Sequence, residues 1–391
     1  MSSEFTIGIE EEFQIVDLKS GELRSHVQQM LQAGEELLGD QIKPEMLQSV
    51  VEVGTKICKD IKEAREELLR LRCGLAGLCA PAGLGIAGSG THPFSDWKDQ
   101  DVTEKERYQA LLEDMGDIAR GLTIFGVHVH VHVEGRDRAI DIFNEARYFL
   151  PHLLALSTSS PFWIGRRTNL KSYRHVVWNQ MPRTGMPDTF KSHSDFQEFV
   201  DLLVRTKCIE DGTKIWWDLR PHPTFDTLEF RVCDMQSRLE DVLAIAALSQ
   251  AIVATLSDLR RKNLGFRQYP RAALAENRWR AMRYGIHGKL IDFGLREEVE
   301  ERKLIAELLE FVDPVVDDLN CRAEIEHIWT ILDEGTSADR QIKVWDETES
   351  LEAVAELIRT ETMLGLDPAE CELRGYARSL VGSVAASLES R

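Results

Sequence analysis

The sequence predicts an α+β protein: a mixed sheet-and-helix body with a helical C-terminal section packed on it. Three observations carry this. Up to about residue 235, strand-like alternation of apolar and polar residues mixes with stretches of helical period. The texture changes near Leu290, beyond which charged helix-like patterns such as EEVEERKLIAELLEFVDPVVDDL dominate. No repeat, low-complexity tract or Pro/Gly/Ser-rich linker divides the chain. We therefore expect residues 1–290 to form the body that carries the site and 291–391 a helical section of the same domain.

Strand signals fall at residues 5–16, 48–55, 84–89, 124–134, 214–220 and 227–233. Helical period is clear at 59–78 and 239–259, where apolar residues recur at three- and four-residue intervals, and these helices are expected to cover the sheet. The apolar stretch 242–256 is broken by Ser249, Gln250 and Thr255 and falls short of the ~20 apolar residues that span a bilayer, so a buried helix is expected.

A chain of 391 residues with 43% apolar residues and 12 prolines can bury a large core. Its net charge of −19 opposes broad adhesion to nucleic acid or anionic lipid, so neither is expected as a partner. Seven cysteines, scattered and without a C-x-x-C pair, read as reduced thiols of a cytoplasmic protein. The start, MSSEFTIGIEEEF, lacks the basic and apolar regions of a signal peptide and reads as a strand.

The polar faces of the strands hold the chemistry. In FTIGIEEEFQIV, alternation puts Gly8, Glu10, Glu12 and Gln14 on one face and Ile7, Ile9, Phe13 and Ile15 on the other, which strands Glu11 among apolar residues. An exposed acidic edge would explain the three glutamates taken alone. In FGVHVHVHVEG, His128, His130, His132 and Glu134 oppose an unbroken row of valines, and three imidazoles at strand spacing suit a metal or phosphate site better than a structural role. TLEFRVC sets Thr227, Glu229, Arg231 and Cys233 on one face, WWDLRPHP sets Trp216, Asp218 and Arg220 together, and SVVEVGT isolates Glu52 among valines. Each could be a surface ion pair or edge. Together they supply Glu10, Glu12, Glu52, Glu229 and His128 beside Arg220 and Arg231. Glutamate oxygens suit magnesium or manganese, and arginines bind phosphate or carboxylate oxygens through paired hydrogen bonds. Metal and arginine clamping a polyphosphate is the apparatus of phosphoryl transfer.

Usual nucleotide motifs are missing. There is no G-x-x-x-x-G-K-[ST] loop, and the G-x-G-x-x-G string at Gly83, Gly85 and Gly88 runs into SGTHP rather than a helix, so close backbone packing explains it better than a dinucleotide site.

Taken in order, GIEEEFQIVD, GTHPFSDW, GVHVHV, SYRHVVWNQMPRTGMP, TLEFRVCD and ENRWRAMRYG resemble the glutamate-cysteine ligase type 2 family, carboxylate-amine ligases of the glutamine-synthetase-like superfamily, over residues 4–345. The resemblance implies a mainly antiparallel sheet lining an active site where ATP activates a glutamate side chain as an acyl phosphate and an amine displaces phosphate. It makes Glu10, Glu12, Glu52, His128 and Glu229 metal ligands, for magnesium with manganese as the alternative. His130 and Arg231 become phosphate contacts, and Arg220 a contact to substrate carboxylate or transferring phosphoryl group. Arg174 and Arg183 become binders of an amino-acid carboxylate or of the nucleotide, and Arg283 a weaker candidate. His132 stands where relatives are expected to carry a small residue. The substrates are an amino-acid carboxylate and a small amine, with cysteine one candidate acceptor. Enzymes of this type commonly oligomerise, and a homodimer is expected.

Two other readings compete. A metal-dependent amidohydrolase would use the H-x-H pair with His222, His175 or Asp218 to hold zinc. A non-catalytic nucleotide-binding protein would keep the site without turnover.

Overall fold

The computed structural model describes residues 4–366. Among these, seven strands form one sheet: β1 (Ile7–Asp17), β2 (Ile42–Pro44), β3 (Val50–Gly54), β4 (Leu84–Ala87), β5 (Gly126–His132), β6 (Leu219–Pro221) and β7 (Thr227–Asp234). They lie in the order β6-β7-β5-β1-β3-β2, with β4 paired to the C-terminal part of β1, and every pair is antiparallel. The fold is α+β, as the sequence predicts. The segment expected as one strand at 214–220 is instead two short strands separated by a bend at Asp218.

The apolar face of the sheet packs under two helices, α1 (Ile61–Cys79) and α2 (Leu239–Arg261). Asp60 caps α1, its carboxylate accepting the Glu63 N–H at 3.0 Å. α2 is long and apolar enough to cross a membrane, but 89% of its apolar window is buried inside the protein, which makes it a core helix.

Glu11 is the exception on that apolar face, and its partner lies 61 residues away. Arg72 of α1 reaches across to bond both carboxylate oxygens, with Nε at 3.2 and 3.1 Å and Nη2 at 2.5 Å. Its remaining Nη1 donates to the Ser237 carbonyl at 2.9 Å, and the guanidinium lies 5.2 Å from the Phe13 ring centre. Both side chains are almost fully buried. The pair ties β1, α1 and the entry to α2 together.

Beyond a hairpin of strands Lys289–Asp292 and Glu297–Glu300 come α3 (Glu301–Val316), α4 (Arg322–Glu334), α5 (Ser337–Thr348) and α6 (Leu351–Thr362). They join the body through buried polar contacts as well as apolar packing. Glu324 accepts Lys62 at 2.6 Å; Glu361 accepts Ser237 Oγ at 2.6 Å and Arg238 Nε at 2.9 Å; Thr362 Oγ1 accepts the Gly88 N–H at 2.9 Å. Residues 367–391, where the sequence reading also expects helix, lie outside the described residues.

Among the described residues, Cys58, Cys79, Cys208, Cys233 and Cys321 are free thiols. Cys371 lies outside the described residues.

Replacing Arg72 with Met would leave the Glu11 carboxylate buried without a counter-charge, and an expected loss of about 3–5 kcal/mol follows. The double variant Glu11→Leu/Arg72→Met should recover most of it; urea unfolding of both variants measures the difference.

Candidate active site

Register assembles the floor of the site. Across the sheet, Lys43, Glu52 and Glu12 are direct neighbours; so are Glu10 and His128; and Arg220, Glu229, His130 and Gly8 form a third row. Residues paired directly across strands project to the same side, so these rows make one polar face. That face floors a cavity of about 390 Å³, within the usual size of a small-molecule site.

Glu10, His128 and Glu229 each offer a ligand atom, all within 4.8 Å of one another. His128 Nδ1 lies 3.3 Å from Glu10 Oε2, and its buried Nε2 has no protein partner. An imidazole held by one carboxylate, with a second close by and its other nitrogen unpartnered, fits a divalent cation. Lys43 bonds Glu52 at 3.0 Å and Glu10 at 3.4 Å. On the opposite flank, Glu229 is gripped by Arg220, with Nε at 2.7 Å and Nη2 at 2.6 Å, and by Arg231 Nη1.

Electrostatics divides the carboxylates into two groups. Burial works against the charge of Glu229, but the Arg231 and Arg220 guanidiniums overcome it and hold the carboxyl well below its usual range. Burial also opposes charge on Glu10, and hydrogen bonds from His128 and His130 overcome it in the same direction. Burial pushes His128 down to about 4, with Arg231 reinforcing it, so its imidazole is neutral and able to ligate. Glu12 and Glu52 go the other way. Burial lifts Glu12 to about 7 against the pull of Arg174, and lifts Glu52 to about 8 with the charges of Glu10 and Glu45 adding to it. A site this crowded with carboxylates, some with no arginine bonded to them, favours added positive charge.

Several lining residues escaped the strand-face reading. Glu45, lifted to about 7 by burial and the Glu12 charge, follows Pro44 at the end of β2, outside any alternating run. Lys43 was readable only as a lone cation, and Arg107 and Tyr108 arrive on the separate helix Glu106–Met115. Of the residues expected at the site, Glu10, Glu12, Glu52, His128, His130, Glu229, Arg220, Arg231 and Arg174 all line the cavity.

Arg183 does not line it. Its Nε donates to the Lys214 carbonyl at 3.0 Å and its guanidinium lies 5.4 Å from the Trp216 ring centre, so it braces the wall from behind. His132 turns away to the Glu4 carbonyl at 2.8 Å, and Arg283 lies over Tyr284. The bend at Asp218 breaks the predicted alternation with Trp216 and Arg220. Asp218 bonds Arg278 instead, and the same guanidinium holds His175 Nδ1 at 2.6 Å. With Asp218 and His175 bound to Arg278 outside the cavity, the amidohydrolase reading loses two of its three candidate extra ligands.

A bulge in β7 between Phe230 and Cys233 corrects another expectation. The extra residue pairs Cys233 with Val127, on the buried apolar side, and Asp234 with Gly126. Fully buried Asp234 then accepts Ser160 Oγ at 2.7 Å, Ser172 Oγ at 2.8 Å and the Ser159 N–H at 3.1 Å. Ser160 Oγ accepts the Arg174 N–H at 3.0 Å. The Arg174 guanidinium lies so close to Gly126 that a Cβ there would stand 2.3 Å from Nη2. Asp234 therefore anchors the segment that delivers Arg174 to the cavity.

A sequence model of the family described as Glutamate-cysteine ligase family 2 matches residues 6–359. A protein of Sorangium cellulosum (strain So ce56) named "Putative glutamate--cysteine ligase 2" is 54% identical over 368 residues, covering 94% of this chain and 98% of the relative. A protein of the same name from Herpetosiphon aurantiacus is 51% identical over 362 residues, covering 93% and 94%. Among solved structures, the glutamate–cysteine ligase of Francisella tularensis in complex with AMP shares the fold, with a TM-score of 0.67 at 13% identity, covering 99% of this chain and 94% of that one. The class these relationships define is the ATP-dependent carboxylate–amine ligase, an enzyme that forms C–N bonds. The chain belongs to glutamate-cysteine ligase family 2.

Asp234→Asn should keep the shape of the anchor while removing its charge. The expected cost is about 1.5–3 kcal/mol of stability, the range for hydrogen bonds to a charged group, read by urea unfolding. A variant as stable as the parent would show that the carboxylate charge is not what holds the three serine contacts.

Proposed function

We propose that this chain uses ATP to activate a glutamate-like side-chain carboxylate as an acyl phosphate and joins it to an amine. The carrying observation is the convergence of Glu10, His128 and Glu229, with the unpartnered His128 Nε2, beside two arginines in one cavity. The names of the Sorangium and Herpetosiphon relatives support glutamate as the acid.

In this reading Glu10, Glu12, Glu52, His128 and Glu229 would hold magnesium, or manganese, with Glu45 adjoining them. When bound, the metal supplies neutralisation of phosphate charge. The protein's own groups do the rest. Arg231 and His130 contact ATP phosphates. Arg220 is fixed by the Thr213 carbonyl at 2.9 Å and the Ile215 carbonyl at 3.0 Å, so it meets the transferring phosphoryl group without reorganising. A new bond forms from the carboxylate oxygen to the γ-phosphorus as the bond to ADP breaks. The amine nitrogen then attacks the acyl carbon, releasing phosphate and a proton. Arg174 contributes a fixed charge for a substrate carboxylate. A cytoplasmic homodimer completes the reading, and sedimentation reads the assembly.

The test is ADP release coupled to mass spectrometry of the product. ADP and an amide should appear with ATP, magnesium, glutamate and an amine together, and EDTA should abolish both. Silence with every acid and amine tried would overturn the reading. Glu10→Gln and Glu229→Gln should each lower turnover by about 10²–10³, the scale for losing one preorganised electrostatic contact, with the circular-dichroism melt retained.

A further inference from the structure

Two copies of one histidine turn occur among the described residues. In HPFS the His92 ring folds back so that Nδ1 accepts the N–H of Phe94 at 3.3 Å and of Ser95 at 3.0 Å. In HPTF the His222 ring does the same, and Nδ1 accepts the N–H of Thr224 at 3.2 Å and of Phe225 at 2.9 Å. A backbone N–H only donates, so a ring nitrogen that receives two of them carries no proton. Each imidazole is thereby held neutral, with its proton on Nε2. Burial acts in the same direction, pushing both rings down to about 4.

The two turns differ in what the Nε2–H meets. At His92 it is buried and donates to the Gly21 carbonyl at 2.9 Å, which satisfies the ring completely. At His222 it has no partner among the described residues, and the ring lines the cavity. The donor is also fixed in place. Phe225 stacks on the ring at 4.5 Å with planes 14° apart, and the His130 ring meets it at 5.4 Å. The His222 N–H donates to the Thr227 carbonyl at 2.9 Å across the β6–β7 hairpin, and alternation puts the side chain on the face of Arg220, whose row holds Glu229 and His130. A nitrogen that carries a proton offers no lone pair to a metal, so the amidohydrolase reading loses its third candidate ligand as well.

We infer that His222 is a further substrate contact, its Nε2–H donating to an anionic oxygen, of phosphate or of carboxylate, held beside His130 and Arg220. This rests on the ligase reading above, in which His130 and Arg220 meet such oxygens. An ionised oxygen accepts a hydrogen bond roughly twice as strong as one to a neutral acceptor such as a nucleobase nitrogen. A neutral donor adds that bond without adding charge to a row that already holds Arg220.

Two substitutions separate the donor from the turn. In His222→Asn the side-chain oxygen stands where Nδ1 stood and can accept the Thr224 and Phe225 N–H groups, while nothing reaches the position of Nε2. In His222→Gln the amide nitrogen reaches that position, but the turn loses its acceptor. Kinetics are read with ATP, magnesium and glutamate, and whichever of cysteine, glycine and leucine yields most ADP with the parent. The Asn variant should melt near the parent and lose about 10–100-fold in kcat/KM for the substrate that carries the oxygen, the scale of one hydrogen bond to a charged group. The Gln variant should melt lower and keep more of the activity. A rise confined to the KM for ATP assigns the oxygen to a phosphate, and one confined to the KM for glutamate assigns it to the acid. Parent kinetics in the Asn variant, or a Gln variant that is the slower of the two, overturns the inference and leaves the ligase reading intact. An Asn variant altered only in its preference for ATP over GTP also overturns it, by assigning the donor to the base. No ADP from the parent with any of these amines overturns the ligase reading and the inference with it. The parent decides the matter if neither variant folds: the 15N resonance of His222 Nε2 should shift when ATP and glutamate saturate the site, and an unmoved resonance overturns the inference.

Discussion

The register of β1 against its neighbours is the constraint on which the rest depends. Glu10 faces Gly54 on one side and His128 on the other, while Glu12 faces Glu52. Because side chains alternate, a slip of one residue would carry Glu10 and Glu12 into the core and bring Ile9 and Phe13 to the cavity. The buried Glu11–Arg72 pair opposes that slip, since Glu11 can satisfy its charge only when it points toward α1. One ion pair on the hidden face thus sets the side on which the site's carboxylates appear.

The same region reconciles a strongly acidic chain with the anionic substrates proposed for the site. The net charge is −19, yet the floor sets Arg220 and Arg231 against Glu229 and leaves Glu12, Glu45 and Glu52 crowded and pushed upward by burial. Arginine supplies fixed charge for oxyanions, and the crowded carboxylates supply a place where added cations lower the energy. The two functions occupy adjacent rows of one sheet, a few ångströms apart, because antiparallel pairing brings side chains from distant parts of the sequence into register.

Much of this was readable beforehand, for a physical reason. His128 and His130 lie in unbroken alternation, and Glu10 and Glu12 in a run broken only by Glu11; period two is the strongest local signal a half-polar strand gives. The fold class and the two covering helices were readable for the same kind of reason. What escaped depends on partners far away in sequence or on departures from regular geometry. Glu11 is unintelligible without Arg72. Asp234 takes its place only through a bulge, and Asp218 leaves its expected face only through a bend. Glu45, Arg107 and Tyr108 come from a strand end and a short helix whose approach to the sheet no periodicity records.

The polar joint between the C-terminal helices and the body has a bearing on biosynthesis. Gln341 of α5 bonds the Ser159 carbonyl at 2.8 Å and Ser89 Oγ at 3.2 Å, and Thr362 of α6 bonds Gly88. Those body residues adjoin Ser160 and Asp234, which deliver Arg174. A ribosome that has finished β7 has emitted every carboxylate of the floor, but the scaffold behind Arg174 is still waiting for residues more than a hundred positions downstream. The support behind Arg174 is therefore complete only once α5 and α6 have been made.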